Sequence, residues 1–208
     1  MDIVLATKNR KKAVEMGRIF AGYGIQFLTL DAFPGCPDVE EDGKTFRSNS
    51  LKKARVASRF TGCPAIADDS GLEVMALDKA PGVYSARYAG ECATDSENVN
   101  KLLKEMKHLK CIDRKARFVC CIALVMPDGH YKTFTGYVSG VIGEKEKGSN
   151  GFGYDPLFYP EGHDRTFAEM SASEKDSMSH RGRALRKLHD YLASFKPAQT
   201  PSVEDKGH

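Results

Sequence analysis

An α/β fold with a mixed sheet is what the sequence predicts, and three observations predict it. The chain opens with a short apolar run followed at once by a segment of helical periodicity, the pattern of a βα unit. Amphipathic helical segments then recur between further short apolar runs. Late in the chain, two long β-branched and aromatic runs flank Pro127-Asp128-Gly129-His130, a turn sequence that makes them an antiparallel hairpin.

The elements follow in order. Asp2 to Ala6 reads as a buried strand, and Met16, Ile19, Phe20 and Tyr23 share one helical face after it. A second strand is expected from Ile25 to Leu30, then an acidic loop from Asp38 to Asp42 and a helix from Phe46 to about Phe60. Ala65 to Ala67 reads as a strand running into Asp68-Asp69-Ser70-Gly71, whose serine and glycine predict a loop, with carboxylates at the strand's C-terminal end. Val99, Leu102, Leu103 and Met106 mark Asp95 to Lys107 as an amphipathic helix. The hairpin strands are Ala116 to Met126 and Tyr131 to Ile142; within the first, Cys120 and Cys121 face opposite sides as small hydrophobes. A strand is expected from Leu157 to Tyr159. The last helix starts at Ser171, whose spacing to Glu174 fits a capping box, and carries Met178, Leu185, Leu188 and Leu192 on one stripe. Residues 1–195 read as one domain and 196–208, with two prolines among polar residues, as a disordered tail.

Composition narrows the function classes. With 41% hydrophobic and 28% charged residues, the 208-residue chain matches a soluble globular protein. Its longest apolar run, Phe118 to Met126, falls well short of the roughly 20 residues a membrane helix needs. No signal peptide is legible at the N-terminus, so a cytoplasmic location without membrane association is expected. The net charge of +3 is too small to argue for nucleic acid as a partner. The six cysteines lack zinc-site spacing and read as reduced structural thiols.

Four segments carry candidate chemistry. Thr7-Lys8-Asn9-Arg10-Lys11-Lys12 lies where the first strand enters the first helix, and unpaired N–H groups at a helix start suit a polyphosphate. The same junction also fits a solvated basic helix start with weak affinity for nucleic acid. The acidic pairs Asp68-Asp69 and Glu40-Glu41 suit magnesium, which takes one or two carboxylates beside waters and phosphate oxygens. A spare carboxylate could orient or deprotonate an attacking water, although Asp-Asp-Ser-Gly in isolation is commonly just a turn. Gly148 to Pro156 combines three glycines with Phe152 and Tyr154, either of which offers a face for a nucleobase. Lys175, Ser179, His180 and Arg181 bring donors to the last helix. On an ideal helix Lys175 and His180 stand about 140° apart, so they converge only through long side chains or a bend.

Taken together, Ala6-Thr-Lys-Asn-Arg-Lys-Lys12, Ala65-Ile-Ala-Asp-Asp-Ser-Gly-Leu72, Ala80-Pro-Gly-Val-Tyr-Ser-Ala-Arg87, Gly151-Phe-Gly-Tyr-Asp-Pro156 and Ser179-His-Arg-Gly182 resemble, in order, the motifs of the inosine/xanthosine triphosphate pyrophosphatase family. The resemblance extends to about Leu192. It implies two lobes flanking a central nucleotide-binding cleft, a homodimer, dependence on Mg2+, and hydrolysis of ITP, dITP or XTP to the monophosphate and pyrophosphate. It further implies Asp69 as the catalytic aspartate, with Thr7, Lys8, Asn9, Arg10, Lys11, Lys12, Ser70, Phe152, Gly153, Tyr154, Asp155, Lys175, His180 and Arg181 as substrate contacts. Metal ligands would come from Asp69, Asp68, Glu40 and Glu41. Family members commonly show Phe-x-Glu-Asn-Ala where this chain has Phe46-Arg-Ser-Asn-Ser50, so Ser48 replaces an acid, and Asp78-Lys79 stands where glycines are frequent. Discriminating hypoxanthine from adenine requires a donor facing O6, a task for His180, Arg181 or a loop N–H.

Overall fold

The computed structural model describes residues 2–21 and 27–194. Its strands are β1 (Ile3–Leu5), β2 (Phe27–Thr29), β3 (Ala65–Val74), β4 (Lys115–Val125), β5 (Tyr131–Ile142) and β6 (Phe158–Pro160). Its helices are α1 (Arg10–Ala21), α2 (Phe46–Thr61), α3 (Asp95–Glu105), α4 (Ala172–Met178) and α5 (His180–Ser194). The strands form one sheet in the order β2-β1-β3-β4-β5-β6. Pairing is parallel among β2, β1 and β3 and antiparallel from β3 onward, so the sheet is mixed as expected. The β4–β5 hairpin is in register from Lys115↔Val141 to Val125↔Tyr131.

Strand alternation distributes the core between two faces. Ala65 and Ala67 of β3 pack beneath Leu51, Ala54 and Ala57 of α2. Ile66 points the other way, among Met16 and Phe20 of α1 and Leu185 and Leu188 of α5. Cys120 and Cys121 divide likewise, one with the α1/α5 face and one beside Phe46. A third cluster, including Val99, Leu102, Phe118, Phe158 and Phe167, closes the far half of the sheet. Burying each such large apolar side chain stabilises the fold by roughly 1.5–3 kcal/mol.

Two expectations are corrected. Asp68-Asp69-Ser70-Gly71 is not a loop but mid-strand, because Asp68↔Ile122, Asp69↔Cys121, Ser70↔Cys120 and Gly71↔Val119 are all paired with β4. Long-range pairing overrides the local turn preference. Gly71 serves close approach instead: a Cβ there would lie 2.4 Å from the Gly82 carbonyl oxygen. The parallel partner β1 stops at Leu5↔Ile66. Asp68 to Ser70 therefore project past the carboxyl ends of the parallel strands, the usual ligand position of open α/β sheets.

The expected single C-terminal helix is two. Ser171 caps α4 with the anticipated capping box, but the chain leaves helical geometry at Ser179 (φ −64°, ψ 159°) and restarts as α5, whose Gly182 N–H donates to Ser179 Oγ at 3.0 Å. Of the two routes to convergence of Lys175 and His180, long side chains or a bend, the break supplies the bend. Smaller differences are that Leu157 closes a 3₁₀ turn before β6 and that Ser48 joins Thr45 in the α2 capping box. Asp78 and Lys79 hold left-handed φ values of 48° and 69°. Tyr23, Ile25 and the tail from Lys196 lie outside the described residues.

Candidate active site

A cleft of about 380 Å³ opens where β1 passes into α1. Thr7, Lys8, Asn9 and Lys12 line it together with Asp69 and Ser70 of β3. The Lys12 amide donates to Asn9 Oδ1 at 3.1 Å, so Asn9 caps the first turn of α1. Phe152 to Asp155 of the glycine loop, and Lys175, His180 and Arg181 of the α4–α5 corner, complete the wall.

Alternation along β3 sends the two adjacent aspartates to opposite faces. Asp69 looks toward α2, where Asn49 Nδ2 donates to its Oδ2 at 3.0 Å and Lys53 Nζ lies 3.9 Å from its Oδ1. The Asn49 amide oxygen accepts from the Gly43 N–H at 2.8 Å, tying the acidic loop to the same helix. Burial pushes the Asp69 pKa up to about 6 despite the attraction of Lys53 and Lys12. Asp68 looks toward α1 and α5, where Lys12 Nζ lies at 3.2 Å and Arg181 Nη2 at 3.1 Å. Burial opposes its charge, but Lys12, Arg181 and Lys53 outweigh burial and hold the carboxyl well below its usual range.

Arg181 is 1% exposed and bonds Glu15, Asp68 and Ser70 Oγ. Lys175 lies 2.7 Å from Asp155 and 3.4 Å from Glu15, with its ammonium 5.0 Å from the Phe152 ring centre. Asp155 also accepts the Phe152 N–H at 2.8 Å. That carboxylate sits where a side chain on Gly151 would have to go, 2.1 Å from a built Cβ. His180 is buried and stacked on Phe118, ring centres 4.8 Å apart. Burial, reinforced by Arg181 and Lys175, drives its pKa well below 6.5, so it is neutral at pH 7. Among the described residues, His180 Nδ1 and Arg181 Nε have no hydrogen-bond partner.

The sequence-predicted set is largely assembled, with exceptions. Arg10 and Lys11 line a neighbouring groove instead, and Lys11 pairs with Asp95 at 2.9 Å. Lys8 pairs with Asp38 at the mouth of the cleft. Tyr154 is buried and donates its hydroxyl to the Ser85 carbonyl at 3.0 Å, so the half-buried Phe152 is the open aromatic face. His180, which in isolation reads as a surface histidine, is interior. Of the acidic loop, Glu41 lines the cleft, whereas Glu40 is exposed and offers its carbonyl to Lys52.

Sequence reasoning missed Asn49, Lys53, Arg87 and Glu15. Asn49 and Lys53 stand four residues apart on the α2 stripe that also holds Phe46, Ala54 and Ala57, and polar residues on an apolar stripe were the available signal. Arg87 donates to the Glu41 carbonyl at 2.7 Å.

No group of three or more metal-binding side chains occurs among the described residues. Glu41 and Asp69 nonetheless fit a magnesium ion, because Lys53 already places a cation between the two carboxylates, and that metal needs only one or two beside phosphate oxygens. Asp68 is already balanced by Lys12 and Arg181.

The model of the Ham1 family matches residues 3–191. The chain belongs to the Ham1 family. Among Ham1 relatives, a dITP/XTP pyrophosphatase of Geobacter sulfurreducens is 51% identical over 190 residues, covering 91% of this chain and 96% of that protein. Another of the same name, from Thermus thermophilus, is 50% identical over 206 residues, covering 99% and 97%. A Ham1 protein structure from Coxiella burnetii superposes with a TM-score of 0.85 at 44% identity, covering 93% of this chain and 99% of that one.

Proposed function

We propose that this Ham1 chain hydrolyses the non-standard purine nucleoside triphosphates ITP, dITP and XTP to the monophosphate and pyrophosphate, clearing them from the nucleotide pool. One observation carries the reading: Lys8 and Lys12, far from Asp69 in sequence, line the same cleft with it. The names of the relatives, dITP/XTP pyrophosphatases, support the substrate class.

In this reading the triphosphate lies against the Thr7–Lys12 turn. Asp69, ionised at neutral pH with a pKa of about 6, accepts a proton from the attacking water. A P–O bond to the water oxygen forms as the anhydride between the α and β phosphorus atoms breaks. Lys12 and Lys53 neutralise the charge gathering on the departing pyrophosphate. Glu41 and Asp69 would hold Mg2+, which supplies further neutralisation of phosphate charge when bound.

Phe152 offers its face to the base. Arg181 Nε–H, a buried donor without a partner among the described residues, suits the O6 acceptor of hypoxanthine or xanthine. Adenine, with a donor amino group at that position, leaves the Nε–H unpaired, a mismatch of about 1–3 kcal/mol. Closure of two lobes over the base adds to this discrimination. The assembly proposed is a homodimer, checked by light scattering.

Pyrophosphate release from ITP, dITP, XTP, GTP and ATP, with and without magnesium, tests the proposal. Expected is magnesium-dependent release with kcat/KM for ITP at least about tenfold above that for ATP. Absence of pyrophosphate, with salt-sensitive oligonucleotide binding instead, overturns it.

A further inference from the structure

We propose that Arg18 is a positioning residue for this reaction: through Asp176 it fixes the roll of α4 and with it the place of Lys175 in the cleft. The inference rests on the proposed function and on the substrate contact that the resemblance assigns to Lys175. Arg18 Nε donates to Asp176 Oδ2 at 2.6 Å and Nη2 to Oδ1 at 3.0 Å, a two-pronged pair of the kind that fixes orientation as well as distance.

One turn earlier on α1, Glu15 faces Lys175 at 3.4 Å. Consecutive residues of α4 are thus held by α1 residues of opposite sign, acid to base and base to acid. Two attachment points define the rotation of α4 about its axis, whereas one does not. The helix needs the help: it has seven residues, ends at the Ser179 break, and is too short to hold its own direction. Two further side-chain ties hold it, the buried Lys175 to Asp155 pair on the glycine loop and the exposed Arg165 to Glu174 pair. The Asp176 side chain is 13% exposed against 44% for Arg18, so the pair is shielded from water and salt on the Asp176 side. Lys175 must also share its ammonium with an incoming nucleotide. Arg18–Asp176 then remains as the contact between α1 and α4 that the ligand does not draw upon.

The test measures steady-state kinetics with ITP for Arg18→Ala, Asp176→Ala, the double variant and Lys175→Ala. Expected is a rise in KM of about fivefold in each single variant of the pair, with kcat within about twofold of the parent and the double variant no worse than either single. Thermal melts run alongside, because a purely structural pair would lower stability and leave KM alone. An unchanged KM in Arg18→Ala, or effects of the two changes that simply add, overturns the positioning role. An unchanged KM in Lys175→Ala overturns it together with the assignment of Lys175. A raised KM in Lys175→Ala beside an unchanged one in Arg18→Ala overturns Arg18 alone.

Discussion

The ammonium of Lys53 lies 2.8 Å from the Glu41 carboxylate, joining α2 to the acidic loop at the edge of the cleft. Burial works against this cation, but Asp69, Asp68 and Glu41 together raise its pKa, so it stays charged. Lys53→Met removes the cation from between two carboxylates. In metal-free protein the change is expected to destabilise by roughly 1–3 kcal/mol, because Glu41 and Asp69 then repel in a poorly solvated place. Magnesium should restore part of that loss. Thermal melts of parent and variant with and without the metal measure it, and equal magnesium effects on both would separate Lys53 from the metal site.

Asp69→Asn tests the catalytic carboxylate in two ways. Turnover is expected to fall by about 10²–10⁴-fold or more, the range for a positioned base. Stability of metal-free protein should move the other way. The folded pKa of about 6 lies above the ordinary 3.8, so the folded state binds the extra proton between those values and loses stability as pH rises through that window. Asparagine carries no such burden. The variant should exceed the parent by roughly 1–3 kcal/mol above pH 7 and match it near pH 4. Denaturant unfolding at both pH values with chelator present decides the point.

Arg181 is embedded too deeply for a simple truncation to report on base recognition. Arg181→Ala leaves Glu15 and Asp68 without their guanidinium, and a fall in stability of about 3–5 kcal/mol is expected. Arg181→Lys keeps a charge near both acids but loses the planar fork and the Nε–H. Its expected signature is a narrowed ITP-to-ATP ratio of kcat/KM in protein that remains folded. An unchanged ratio in the lysine variant removes Arg181 from base recognition.

Much of this arrangement was legible in the chain because it depends on local periodicity and turn chemistry. The α2 helix, the α3 stripe, the hairpin and the Ser171 cap are all short-range patterns, and they appear where expected. What local reasoning could not see is set by distant partners. Asp68 to Gly71 read as a turn until ten residues of β4 pair with β3. Likewise, the adjacent aspartates looked interchangeable, whereas alternation in an extended strand gives Asp69 to the cleft and Asp68 to Arg181. Asn49 and Lys53 were hidden because a helix stripe reveals which residues turn inward but not what they meet. The motif at Ser179 to Gly182 marked a site, and its spacing from Lys175 left open whether long side chains or a bend would bring the two together.

Lys79→Gly separates backbone strain from function. Lys79 holds φ 69° beside Asp78 at 48°, neither of them lines the cleft, and a left-handed residue with a Cβ costs about 1–2 kcal/mol. Glycine relieves that strain but gains freedom in the unfolded chain, which returns part of it. A net stabilisation of roughly 0.5–1 kcal/mol is expected, with ITP turnover unaltered. A loss of stability would show that the lysine side chain contributes contacts exceeding the strain.

Gly182→Ala probes the corner that brings α4 and α5 together. A Cβ at this position would lie 2.0 Å from the Asp176 carbonyl oxygen, and the obstacle is backbone, which no rotamer change can clear. Asp176 therefore has to retreat, pulling on its pair with Arg18 and on the neighbouring Lys175. The variant should lose about 1–3 kcal/mol of stability, the range for an added methyl in a packed site. It should also bind ITP more weakly, with KM rising more than kcat falls, because Lys175 lies beside the Phe152 ring proposed to face the base and not beside Asp69. Should stability drop while KM stays fixed, the corner would be a packing feature alone and α4 would have latitude to shift without carrying Lys175 out of place.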